Sequence, residues 1–318
     1  MKNYKIAFVG LGSMGRRHMK DAAALLSGRG DSYTIDVYRS SLSHPVPEDI
    51  AQFVSCEHLL NDTVTDVPED GYDIVFITNP TANHYDTLKK FLPAAKAIFL
   101  EKPVFDDTSY DLSALTGLSS TVCYVACPLR YNPVLEYVRS NINTHEAISA
   151  RAISSSYLPD WRPGTDYRKC YSARRDMGGG VGIDLIHEWD YLTELFGHPN
   201  YGYSIQLKNS GLEIDSDDTA VYIAKTPTTT LELHLDYFGR KSIRTLEIYM
   251  PDDTIRCDLL AGTIDYLFSG RHEEVKVSAA DVYMKELVHF MDIADGFIEN
   301  DNTVENALIT LSCAKGEF

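Results

Sequence analysis

The chain has 318 residues, 44% of them hydrophobic and 24% charged, with a formal net charge of −17. That length allows two domains and a sizeable core, and the composition is ordinary for a soluble globular protein. The acidic balance argues against nucleic acid as a partner, since a phosphate backbone needs clustered positive charge. No apolar run approaches the roughly 20 residues of a membrane helix, so no membrane partner is expected.

The N-terminal MKNYKIAFVG enters a strand-like run at once, without charged leader, apolar core and cleavage site. No signal peptide is therefore expected, and a cytoplasmic location is. Cys56, Cys123, Cys127, Cys170, Cys257 and Cys313 are scattered. Only Cys123 and Cys127 are close, and a lone CxxxC lacks the second ligand pair of a zinc site. Free thiols in a reducing compartment are the expectation, and no metal is.

KIAFVG reads as a short apolar strand and residues 13–27 as a helix. TIDVY is a second strand and DIVFIT (73–78) a third, followed by a helix over 81–92. AIFLEK (97–102) is a strand, 107–118 a helix and TVCYVA (121–126) a strand. This alternation predicts a doubly wound parallel sheet, and the near-continuous apolar strands predict cover on both faces. After about residue 145 the pattern changes. ISARAISSSYL reads as a strand and 181–196 as a helix; GYSIQL, TAVYIA, TTLELHLDYF, RTLEIYM, TIRCDLL, TIDYLF and EEVKVS then read as strands with no helices between them. They predict a large, mostly antiparallel sheet, and helices at 280–298 and 303–315 close the chain. The expected fold class is an α/β domain followed by an α+β domain. Their boundary falls near 125–145, giving domains 1–125 and 126–318, with the terminal helices able to pack back on the first.

GLGSMG places Gly10, Gly12 and Gly15 at G-x-G-x-x-G spacing between a strand and a helix. Gly10 permits a tight turn, Gly12 a close backbone approach to a pyrophosphate, and Gly15 close helix–strand packing. Ser13 and Met14 open the helix, where free N–H groups and a partial positive charge meet an anion. This is the fingerprint of a Rossmann dinucleotide site. The acidic residue that holds the adenosine ribose normally ends the second strand. Here Asp36 lies inside that strand, and Arg39, Ser40 and Ser41 end it. An arginine with two hydroxyls suits a 2′-phosphate, so NADP is favoured over NAD. The alternative is that Arg39 is a solvated loop charge and either cofactor is taken.

AIFLEKPVF puts Glu101-Lys102-Pro103 at a strand's carboxyl end, where ligands of such sheets bind. GLGSMGRRH, TNPTANHYDTLKKFL, EKP, and GGG before a helix bearing Asp and His together resemble the glucose–fructose oxidoreductase / inositol dehydrogenase / MocA (Gfo/Idh/MocA) family. The order and spacing match over nearly the whole chain. The resemblance implies hydride transfer between a nicotinamide cofactor and a hydroxyl or carbonyl of a sugar, sugar acid or cyclitol. It also implies homodimers or homotetramers formed through the C-terminal sheet. Thr78, Asn79, Pro80 and His84 match the loop running past the cofactor, with Glu101 and Lys102 at the strand end. Arg130, with Asn132-Pro133, matches the segment entering the second domain. His187 matches the family's helix histidine. Asp184 departs from the pattern, standing three positions before the histidine instead of four. WRPGTDYRKCYSARRDMGGG with LIHEWDYL also resembles a subgroup associated with nonulosonic-acid sugar pathways.

Taking a hydroxyl proton during hydride transfer needs a group titrating near neutrality, and histidine is the natural choice. His187 is assigned as general acid/base, Lys102 as electrostatic and proton-relay partner or itself the proton carrier, and Asp184 as orienter. Helical spacing predicts Asp184 and His187 on one face, with Glu188 and Asp190 structural. Standing alone, His187 and Asp184 would read equally well as a core histidine and a cap. The segment 161–177 carries five basic side chains. Trp161, Tyr167 and Tyr171 offer faces for a sugar ring, and Arg162, Arg168 and Arg174 offer forks for an anionic or nucleotide-linked sugar. A solvated surface loop or a subunit contact is the competing reading. Two alternatives to the sugar oxidoreductase stay open: a non-catalytic dinucleotide-binding regulator on the same fold, and a dehydrogenase of a non-sugar substrate.

Overall fold

The computed structural model describes residues 1–60, 68 and 70–318. Its chain divides into two compact units, Met1–Ala126 with Tyr283–Leu308, and Cys127–Val282 with Ile309–Phe318. No helix among the described residues is long and apolar enough to cross a membrane.

The first unit runs β1 (Asn3–Val9), α1 (Ser13–Arg29), β2 (Ser32–Arg39), α2 (Glu48–Ala51), β3 (Cys56–Leu59), β4 (Tyr72–Ile77), α3 (His84–Phe91), β5 (Ala95–Leu100) and β6 (Val122–Val125). The sheet order is β3-β2-β1-β4-β5-β6, and every pairing is parallel. Strand order reverses between β1 and β4, the switch point at whose carboxyl ends such sheets bind ligands. Apolar strand residues fill the core. Phe8 stacks on Phe76 at 4.4 Å, Phe99 lies 5.3 Å from Phe76, and Phe290 lies 5.2 Å from Phe99. In α1 the residues at helical spacing, Gly15, His18, Met19, Ala22, Ala23 and Leu26, are the buried ones. Gly30 stops that helix in the left-handed region, at φ 74°.

The helix expected over 107–118 is absent. Asp107 accepts the Ser109 N–H at 2.9 Å, and Asp111 accepts the Ser113 N–H at 2.9 Å. These side chains satisfy the backbone locally and compete with helical hydrogen bonds, leaving one 3₁₀ turn at Leu112–Ala114.

The second unit contains α4 (Pro133–Asn141), β7 (Ser149–Tyr157), α5 (Val181–Asp184), α6 (His187–Phe196), β8 (Tyr201–Leu207), β9 (Thr219–Lys225), β10 (Thr230–Asp236), β11 (Phe238–Tyr249), β12 (Thr254–Asp258), β13 (Thr263–Tyr266) and β14 (His272–Glu274). The sheet order is β14-β13-β12-β11-β7-β10-β9-β8. All pairs are antiparallel except β7 with β10. The helices α7 (Ala279–Ala294) and α8 (Val304–Lys315) end the chain. The single helix expected over 181–196 is broken. Leu185, at φ −97° and ψ 31°, leaves the helical region after α5, and α6 starts at His187. Asp184 and His187 therefore stand on two short helices, and the one-face argument from spacing does not apply to them.

Candidate active site

The β1–α1 turn is shaped by close approach. Gly10 has φ +93°, and a Cβ there would lie 2.7 Å from the Asn79 Cα. A Cβ on Gly15 would lie 2.6 Å from the Thr78 hydroxyl oxygen and press on the Gly10 carbonyl. Gly12 caps α1 without a side-chain hydrogen bond, and a Cβ on it would meet nothing within 4 Å. The first turn of α1, including exposed Ser13, is thus presented to open space with no acidic residue in it. Such a helix start suits an anion.

Three further side chains hold the strand ends beside that turn. The Thr78 hydroxyl donates to the Gly10 carbonyl at 2.7 Å. Asn79 Nδ2 donates to the Thr87 hydroxyl at 2.8 Å. Buried His84 has Nε2 3.0 Å from the Asn79 carbonyl and Nδ1 3.0 Å from the Pro103 carbonyl. His84 therefore joins the Asn79-Pro80 loop to the segment after Lys102, and burial lowers its pKa. With both ring nitrogens on backbone carbonyls, it acts on these loops as a brace.

Glu101 is similarly committed. Its Oε1 lies 2.6 Å from Nε2 of buried His18, and its Oε2 accepts the Lys102 N–H at 3.1 Å. Burial alone would raise its pKa, but the hydrogen bond and charge of His18 outweigh this and hold it below the usual carboxylate range. Lys102 follows, half-buried, at the strand end, and its peptide bond to Pro103 is cis. A dinucleotide fits the unit on three counts: the open side of Gly12, the uncapped start of α1, and Asn79 Oδ1, which is buried without a hydrogen-bond partner among the described residues.

At the end of β2 the arrangement differs from the expectation of a free cation. Arg39 Nη1 donates to Glu57 at 2.6 Å and to the His44 carbonyl at 2.9 Å. The Ser41 hydroxyl is engaged with that of Ser43 at 2.8 Å, and Ser40 is exposed.

In the second unit the three glycines close a loop onto itself. Gly178 and Gly180 have φ +79° and +142°, and a Cβ on Gly179 would crowd the carbonyls of Tyr171, Ser172 and Arg174. This brings Tyr171 to the end of α5. The carboxylate of buried Asp184 accepts the Tyr237 hydroxyl at 2.5 Å and bonds the Tyr171 hydroxyl as well. Burial, then the Asp184 charge, raises the pKa of both phenols. Trp161 packs edge-on against Tyr237 at 5.3 Å, and the Arg162 guanidinium lies 5.5 Å over the Tyr171 ring. A shallow depression beside them is lined by Trp161, Arg162, Thr165 and Tyr167. His187 starts α6 half-buried. Tyr237 carried no signal in the sequence, since a single tyrosine at a strand end has no motif.

Glu188 and Asp190 are structural. Glu188 is fully buried and 2.7 Å from Arg244. Asp190 receives a two-pronged hydrogen bond from Arg130, at 2.9 and 2.8 Å. Arg130, expected at the cofactor, is a buried partner of α6; burial works to lower its pKa, but the Asp190 charge and hydrogen bond, with other neighbouring groups, together raise it. The loop arginines are also engaged. Arg168 contacts Asp166 and Glu213 at 2.8 and 3.0 Å, and Arg174 contacts Asp176 at 2.9 Å. Arg162 has no ion pair among the described residues.

Residues 4–118 match the model of an oxidoreductase family with an NAD-binding Rossmann fold, the Gfo/Idh/MocA family. Inositol 2-dehydrogenase of Rhizobium meliloti is 27% identical over 196 residues, which is 61% of this chain and 55% of that protein. An uncharacterised oxidoreductase of Bacillus subtilis is 23% identical over 303 residues, 91% of this chain and 81% of that one. The matched segment thus spans little more than half of the first relative's length. Beyond the matched residues, solved structures share the fold of nearly the whole chain. Levoglucosan dehydrogenase in complex with NADH superposes with a TM-score of 0.80 at 14% identity, covering 99% of this chain and 95% of that one. UDP-N-acetylglucosamine 3-dehydrogenase from Acidithiobacillus ferrooxidans gives 0.75 at 19% identity, covering 99% and 96%.

Proposed function

We propose that this protein is a nicotinamide-dependent oxidoreductase acting on a hydroxyl or carbonyl of a sugar, sugar acid or cyclitol. The observation that carries the reading is Lys102, placed at the end of β5 in a sheet whose β1–α1 turn has the shape and uncapped helix start of a pyrophosphate cradle. Inositol 2-dehydrogenase among the relatives supports the substrate class.

A bound nicotinamide would supply the hydride acceptor or donor. Gly10, Gly12, Ser13, Met14 and Gly15 would hold its pyrophosphate at the start of α1. Thr78 and His84 hold that turn and the Asn79-Pro80 loop in place, and Glu101 fixes the backbone of Lys102. In the second unit, His187 is the group that would take a substrate hydroxyl proton in the oxidative direction. In the first unit, the Lys102 ammonium would stabilise negative charge developing on a substrate oxygen. Asp184 is held by two tyrosines and orients the acid–base group or a neighbouring substrate hydroxyl. The Arg39–Glu57 pair weighs against the NADP preference expected from Arg39, Ser40 and Ser41, and favours NAD.

The protein assembles as a homodimer or homotetramer through the outer face of the larger sheet. Alternate residues of β8 and the neighbouring β9 expose an apolar strip, with Tyr203 78%, Ile205 60% and Ile223 56% exposed. Such a contiguous strip marks an interaction surface, here one for a second copy. A reducing cytoplasm suits its free cysteines. Thermal-shift titration with NAD(H) and NADP(H), then with sugars, sugar acids and nucleotide sugars, tests the reading. A rise in Tm with one cofactor and then with a sugar-like ligand is expected; no response to either cofactor would overturn it.

A further inference from the structure

A dinucleotide-binding sheet usually sets an acidic residue at the end of its second strand, where it accepts the ribose 2′-hydroxyl. Here β2 ends in Arg39, and the nearby Asp36 is turned elsewhere: its carboxylate accepts the Tyr72 hydroxyl at 2.8 Å and lies 3.6 Å from His58. A carboxylate nevertheless reaches the strand end from the next strand. Glu57 of β3 pairs with Val37, and Leu59 pairs with Arg39. The alternation of side chains therefore puts Glu57 and Arg39 on one face, and Glu57 Oε2 accepts Arg39 Nη1 at 2.6 Å. The same guanidinium donates to the His44 and Pro45 carbonyls at 2.9 and 3.5 Å, tying the 40–45 loop to the strand end. The arginine is only 14% exposed and the glutamate 37%.

We propose that Glu57 is the specificity-determining residue of the cofactor site, selecting a free ribose 2′-hydroxyl over a 2′-phosphate. The proposal rests on reading the first unit as a dinucleotide site. A 2′-phosphate would bring a second anion against a carboxylate that already holds the Arg39 guanidinium, and like charges so placed disfavour the ligand. A neutral 2′-hydroxyl instead finds an acceptor. Arg39 thus keeps the loop in shape, and Glu57 keeps Arg39 from serving a phosphate. The two residues act as a pair drawn from adjacent strands, so the selectivity is not legible in the β2 sequence alone.

The test is direct titration of the full-length protein with NADH and NADPH, read by cofactor fluorescence, for wild type, Glu57→Gln and the double variant Glu57→Gln/Arg39→Ala. Wild type binds NADH more tightly. Glu57→Gln improves NADPH binding about tenfold, the scale of one charge-assisted hydrogen bond, and changes NADH binding far less. Adding Arg39→Ala removes that gain. Thermal unfolding of each variant confirms that it is folded. Tighter NADPH binding by wild type, or an unchanged NADPH/NADH ratio in folded Glu57→Gln, overturns the proposal. Failure of wild type to bind either cofactor would overturn the dinucleotide-site reading itself, and the proposal with it.

Discussion

The hydroxyl of Tyr237 donates a 2.5 Å hydrogen bond to the carboxylate of Asp184. That bond joins the strand end after β10 to the last residue of α5, and it fixes a buried carboxylate that the chain breaks a helix to present.

Replacing Tyr237 by Phe removes this one donor and keeps the ring that packs on Trp161. A buried carboxylate losing a charged-group hydrogen bond forfeits about 1.5–3 kcal/mol, and if Asp184 orients the reacting groups, kcat falls roughly tenfold or more. Steady-state kinetics on Tyr237→Phe reads this. Unchanged kcat with lowered Tm would leave Asp184 a structural residue only.

The Glu101–His18 pair makes a prediction for pH. The Glu101 pKa is depressed in the folded protein, so its contribution is fully present above the unfolded carboxylate value of about 4.3 and is lost as pH falls through the lower folded value. His18→Phe removes the partner and leaves a buried carboxylate. Wild type should therefore be more stable than His18→Phe at pH 7, and the gap should narrow as pH drops below about 4.3. Thermal melts across that range measure it. A gap independent of pH would show that the histidine contributes through packing alone.

The doubly wound first unit was largely legible because its signals are local: alternating apolar strands, a helix with a buried face at helical spacing, and glycines at fixed offsets. The same locality explains the misses. Nothing in 107–118 announced that Asp107 and Asp111 would bond the backbone ahead of them and stop a helix from forming. Apolar spacing continued smoothly across 181–196, so the break at Leu185 was hidden. Residue type placed Arg39, Arg168 and Arg174 as anion ligands, but each meets a carboxylate of the chain: Glu57 from β3 for Arg39, Asp166 with Glu213 from 45 residues away for Arg168, and Asp176 for Arg174. Arg130 likewise met its partner Asp190 only through tertiary packing.

Those pairings sharpen the expectation for the substrate loop. Arg168 and Arg174 are exposed and already matched by acidic neighbours, so their removal should leave KM within about twofold, since exposed pairs of this kind contribute about 0–1 kcal/mol. Arg162, over the Tyr171 ring and without an ion pair among the described residues, should raise KM for an anionic substrate by about tenfold when changed to Ala. Measuring KM for the three single variants distinguishes them. A large effect at Arg168 or Arg174 and none at Arg162 would reverse the assignment.

On the proposed reading, Lys102 works in hydride transfer and does not merely help to bind cofactor. Cofactor binding and substrate-dependent NAD(P)⁺ reduction, measured side by side on wild type and Lys102→Ala with a panel of sugars, sugar acids and cyclitols, test it most directly. Wild type is expected to reduce cofactor with at least one of them, and the variant to bind cofactor almost unchanged while kcat falls by about 100-fold or more. Full turnover by Lys102→Ala, or cofactor binding by wild type with no turnover on any member of the panel, would contradict it.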